Sequence, residues 1–277
     1  MRKYINKYAV IGLFCCFLFQ FVSWGVSSSF FKYFFNGKIA EGQDITQAQF
    51  ILNWGPDYYI TEGFNIMQLA LPLLTTIAAC EIMRLCSGYY ENAKPRIMHY
   101  SRYVAHDIVL ISLFSALAIF IGFLLFYLFG AINCPVDYDS AYERSFLNYE
   151  FGDGFAKKDP LAYYLIEGVY KFFLFPFFYG IFACCSYLFF RKKFSGVIVP
   201  VGYFYLLTIL CATMRNSLHG TLAGELVQAI RPDRMIMMGG EVGSGYPMAY
   251  PFNSLIPPII ASVVFFILGV KNEKKNG

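Results

Sequence analysis

The stretch Ile108–Ile132, IVLISLFSALAIFIGFLLFYLFGAI, decides the fold class of this chain. None of its residues is charged, and it exceeds the roughly 20 apolar residues that a helix needs to cross a bilayer core. Working outward from it, five more segments meet the same requirement: Ala9–Phe31, Ile60–Ala79, Leu161–Phe190, Val197–Met214 and Ser254–Val270. The expected fold is therefore an all-α membrane protein with six transmembrane helices, a single transmembrane domain over residues 1–277. Composition agrees. Of 277 residues, 57% are hydrophobic and only 14% charged, against about 25% charged in an ordinary soluble domain.

Ala9–Phe31 follows the basic start MRKYINKY, as a signal peptide would. Its apolar run is longer than a usual h-region, however, and bulky aromatics fill the region where cleavage would fall. A retained first span is expected.

The basic residues set the orientation. With the N-terminus inside, the inner segments collect Arg2, Lys3, Lys7, Arg84, Lys94, Arg96, Arg102, Arg191, Lys192, Lys193, Lys271, Lys274 and Lys275. The acids on that side are only Glu81, Glu91, Asp107 and Glu273, while acids outnumber bases in the outer loops. The positive-inside rule then places both termini in the cytoplasm of a multi-pass cell-membrane protein, a bacterial plasma membrane being the expected setting.

Three outer loops follow from this topology. Lys32–Tyr59 ends in NWGPDYY, where Trp54, Tyr58 and Tyr59 read as interfacial anchors. Asn133–Pro160 is acidic and turn-rich. In Arg215–Pro251, Leu218, Leu222, Leu226 and Ile230 recur every four residues, which predicts an amphipathic outer helix between spans five and six. Such a helix is either an ordinary surface element or a gate over a substrate path. The glycine-rich GEVGSG that follows (Gly240–Gly245) matches neither GxSxG nor GxGxxG and reads as a hairpin.

Enzymatic chemistry finds little support. The eight cysteines show no metal-ligand spacing, and seven of them lie in or beside apolar runs, as small hydrophobes do. His99, His106 and His219 have no HExxH or carboxylate–histidine pattern around them, so neither a metal site nor catalytic residues are expected. There is no GxxxxGK[ST], hence no nucleotide bound by this chain's own P-loop.

Two polar constellations stand out. Glu167 and Lys171 lie one helical turn apart inside span four. Charges at membrane depth face protein or water, and an i,i+4 pair can neutralise itself. They are either a self-satisfied pair or part of a translocation path with Glu62 and Gln68 of span two. The other is Glu81–Val104, EIMRLCSGYYENAKPRIMHYSRYV, the first inner loop and the longest.

That loop resembles the first cytoplasmic loop of ABC-2-type permeases, the membrane-spanning subunits of ABC exporters. The matching features are an acidic residue near the end of span two (Glu81), a Ser-Gly step (Ser87–Gly88), a short helix over about Tyr89–Ile97 and a Ser-Arg re-entry into span three (Ser101–Arg102). In that family the short segment is a coupling helix that docks on a separate ATPase. The resemblance implies that Glu81, Arg84, Ser87, Gly88, Tyr89, Tyr90 and Arg102 bind this partner. ATP and Mg would be held by the ATPase, with no cofactor on this chain, which would be a transport subunit rather than an enzyme. It also implies a second permease copy or a related subunit, and export of an amphiphilic cargo such as a peptide, lipid or drug-like molecule. The alternative is a non-transporting sensor or immunity protein that binds an extracellular peptide.

Overall fold

The computed structural model describes residues 7–28, 30–31, 56–90, 99–133, 146–152, 154–192, 194–218, 220–236 and 251–275. Among these residues there is no strand. Six helical segments are long and apolar enough to span a membrane: Lys7–Ser27, Tyr59–Ser87, Tyr100–Ile132, Pro160–Phe190, Ser195–Met214 and Pro251–Asn272. They match the six predicted spans in order, with different ends. Span two runs on through the charged Glu81 and Arg84, and span three starts at Tyr100, so Ser101 and Arg102 belong to its first turn.

Span one is α1 (Lys7–Ser27). Span two is built from α2 (Pro56–Leu74) and α3 (Ile77–Arg84). The break between them follows Pro72, which cannot donate to the preceding turn. Hydroxyls take over part of the lost bonding, Thr75 donating to the Pro72 carbonyl and Thr76 to that of Leu73, both at 2.7 Å. The helix does not turn at Ser87–Gly88 as the sequence suggested. It continues as a wider π-helical turn over Leu85–Tyr90. The expected short helix reaching Ile97 lies largely in residues 91–98, outside those described, as do most of the connection between spans one and two, residues 134–145 and the glycine-rich Gly240–Gly245.

Span three is α4 (Tyr100–Asn133). After the short α5 (Phe146–Phe151) and α6 (Phe155–Lys158), span four begins at α7 (Pro160–Val169), capped by the Asp159 carboxylate on the Ala162 N–H at 3.1 Å. A π-helical turn, Tyr170–Leu174, separates α7 from α8 (Phe175–Phe190). Pro176 opens α8, and the wide turn sits directly before it, where a regular ladder would require the missing N–H. Span five is α9 (Ser195–Ser217). The connection between spans five and six holds α10 (Leu222–Ala229), shorter than the leucine repeat implied, and a 3-10 turn at Pro232–Met235. A second 3-10 turn, Pro251–Leu255, leads into α11 (Ile256–Lys275).

Spans two and four are the most deeply packed and span five the least, with 56%, 61% and 17% of their apolar windows buried. In bilayers helices associate through close packing rather than hydrophobic exclusion, and the core is made that way from aromatic plates. Phe123 of α4 stacks on Phe172 of span four with centroids 4.7 Å apart, and Tyr59 stacks on Phe126 at 4.3 Å. Gly168 permits the first contact, because a Cβ there would run into the Phe123 ring. Tyr59 is thus a core residue rather than an interfacial anchor: it is fully buried and donates to the Phe126 carbonyl at 2.9 Å. Towards the end that carries Arg84 and Arg191 the packing changes to smaller groups, including Ala78, Ile82, Val104, Ile111, Cys184 and Cys185.

Candidate functional site

The connection between spans two and three leaves the bundle through α3. Its Glu81 is fully buried, in spite of its charge, because Arg84 sits one turn on along the same helix. The guanidinium meets this carboxylate through both Nε and Nη2, with Nε 3.1 Å from each carboxylate oxygen. The arginine side chain is still 53% exposed. The pair is therefore a buried acid under a half-exposed base at the mouth of the connection. Ser87, one turn further, is exposed and returns its hydroxyl to the carbonyls of Met83 and Arg84. Gly88, Tyr89 and Tyr90 complete the π-helical turn. Arg102 is exposed on the first turn of α4, and Asp107, next along the same helix, is fully buried.

Around Arg84 the fold assembles residues that are far apart in sequence. A pocket of about 500 Å³ is lined by Tyr8 of α1, Cys80, Met83, Arg84 and Ser87 of span two, Tyr187 and Arg191 at the end of span four, and Phe194 and Val197 entering span five. Arg191 ends α8 in the left-handed conformation, with φ 56°, and its N–H reaches the Tyr187 carbonyl at 2.9 Å. In the sequence Arg191 and its neighbours stood out only as basic residues that set the orientation. Tyr8 and Phe194 were missed as well, since nothing local marks them. The available signal was the density of Lys and Arg at this end.

The four residues proposed to line a path sit in different surroundings. Glu167 and Lys171 are 0% and 1% exposed, joined by a 2.5 Å ion pair, and Tyr170 donates to the same Glu167 Oε1 at 3.3 Å. The Lys171 ammonium also lies over the Phe64 ring at 4.9 Å, a cation–π contact with span two. Glu62 instead lies on a more open side of span two, where Asn65 donates to its Oε2 at 2.8 Å. Its backbone carbonyl accepts from Ser23 at 2.5 Å, fastening span one to span two. Gln68 is half-buried, whereas Phe64 and Met67 of the same helix point into the core.

At the opposite end, α10 exposes Leu222 and Leu226, as an outer-leaflet helix would, and buries Gly224, Gln228 and Ala229. Two contacts with no local sequence signal hold the 3-10 turn after it, one within the turn and one to α10. Arg231 makes a two-pronged pair with Asp233 at 2.7 and 2.5 Å, and buried Arg234 donates to Gln228 at 3.2 Å. Among the described residues no group of three His, Cys, Asp or Glu could hold a metal ion, and the seven described cysteines are free thiols.

Comparison with known proteins adds no relative: no family model, no curated protein and no solved structure matches this chain.

Proposed function

We propose that this chain is the membrane-spanning subunit of an ATP-driven exporter of the ABC-2 type, working as a dimer with a separate ATPase in the cell membrane. The observation that carries the reading is the Glu81–Arg84 unit. An acid fully buried by its own helix fixes the stem of the first inner connection to the bundle core, while the partner arginine stays open to a docking protein. Helical structure continues through Tyr90, so a push on this connection would pass as a rigid-body movement into span two, one of the two most deeply packed spans. Both termini and this connection would face the cytoplasm, following the distribution of Lys and Arg. ATP and Mg would be handled by the partner, and the cargo would be amphiphilic.

The test is co-purification from native membranes, followed by reconstitution with the captured ATPase. Wild type is expected to retain an ATPase subunit. Y89A/Y90A should weaken its docking about 30-fold, the effect of losing an interface hot spot, and abolish cargo-stimulated hydrolysis with the melting temperature held. Unchanged docking and stimulated hydrolysis in a folded Y89A/Y90A protein would remove the coupling role. Absence of any ATPase would favour the peptide-binding alternative.

A further inference from the structure

The pocket beside Arg84 has a second chamber. Across Phe194 lies a groove of about 350 Å³ formed by Phe190, Phe194, Ile198 and Val199, with Lys192 and Ser195 at its edge. The two differ in chemistry. The larger carries two guanidinium groups, two phenols and the Ser87 hydroxyl. The smaller has almost nothing but hydrocarbon walls. Phe194, 63% exposed, forms the partition common to both, and Ile198, 65% exposed, extends the apolar side along span five.

We propose that this double pocket binds one anionic glycerophospholipid, its phosphate between Arg84 and Arg191 and an acyl chain along Phe194 and Ile198. Three features select this occupant. The site lies at the ends of spans two and four, and basic pockets at the ends of membrane helices recruit anionic lipids. Arg84, Arg191 and Lys192 line the two chambers and, among the described residues, no acid does, Arg84 being paired with the buried Glu81 beside it. The arginine-lined pocket and the apolar groove share Phe194 as a wall, a juxtaposition that suits an amphiphile better than a free anion. A cavity of this size suits a glycerophosphate headgroup. The site stands independently of the exporter reading, because it needs only a membrane and these side chains.

The experiment is native mass spectrometry of the full-length protein in neutral detergent, titrated with phosphatidylglycerol or phosphatidylcholine of identical acyl chains. One phosphatidylglycerol should be retained about tenfold more tightly than phosphatidylcholine. R191Q/K192Q should lower that retention more than about tenfold, roughly fivefold for each charge removed, and R191K should keep most of it. F194S should weaken both lipids. Equal retention of the two lipids by wild type would overturn the proposal without any variant. Undiminished phosphatidylglycerol binding by folded R191Q/K192Q would do the same. Displacement by millimolar inorganic phosphate would identify a free-anion site and equally overturn it.

Discussion

Two ion pairs of similar construction sit at different depths of this bundle. Glu81–Arg84 and Glu167–Lys171 each place an acid and a base about one turn apart on one helix, and both acids are fully buried. The bases differ: Arg84 is 53% exposed and Lys171 only 1%. The surroundings differ too. Lys171 is roofed by Phe64 and next to the stacked Phe123 and Phe172, whereas Arg84 opens into a pocket with a second arginine. The chemistry is shared, and depth separates a sealed clasp from a contact that another molecule can reach. Polar groups at membrane depth are therefore a poor guide to function until their bases are located.

The sharpest way to break this contrast is to remove the deep base. K171M should destabilise the protein by about 3–5 kcal/mol, because it strands the Glu167 carboxylate in the core. Thermal unfolding in detergent measures this. E167L/K171M should recover much of the loss, since apolar replacement of a whole buried pair is often neutral. A double variant as unstable as K171M would show that the pair holds more than itself together.

A second substitution probes the sealing without touching charge. G168V would force a side chain into the Phe123 ring and should cost about 1–3 kcal/mol by overpacking. An unchanged melting temperature would mean that the aromatic plates are looser than their stacking indicates.

The smallest effect belongs to the shallow pair. R84Q keeps a hydrogen-bond donor for the buried Glu81 but removes its counter-charge, so the loss should be about 1–2 kcal/mol, below that of K171M because this base is half-exposed and water can reach the site. A loss as large as that of K171M would erase the distinction between the two pairs.

The spans were legible because long apolar runs have few alternatives. Their ends were not. Glu81 and Arg84 look like the start of a loop, yet the helix continues through them because the acid is neutralised from within it. Asp107 likewise reads as polar loop and is fully buried on α4. Tyr59 looks like an interfacial anchor until Phe126, from the next span, stacks on it. The pair Glu167–Lys171 was visible from its spacing, but its cover by Phe64 depends on which side of span two faces it, and periodicity alone leaves that open. The Arg84 pocket was least accessible, since it joins Tyr8, Arg84 and Arg191 from three distant stretches.

The wide turn at Tyr170–Leu174 has a consequence for how span four tolerates changes in length. A π-helical turn is in effect one surplus residue accommodated within an α-helix. Elsewhere in the span, losing a residue would rotate everything beyond it by about 100°, taking Tyr179, Phe182 and Cys185 off their neighbours. Within the wide turn, the same deletion could relax to an ordinary helical turn and leave both flanking faces in phase. Span four thus carries its indel tolerance at a single place, beside Pro176 and next to its most deeply buried charges.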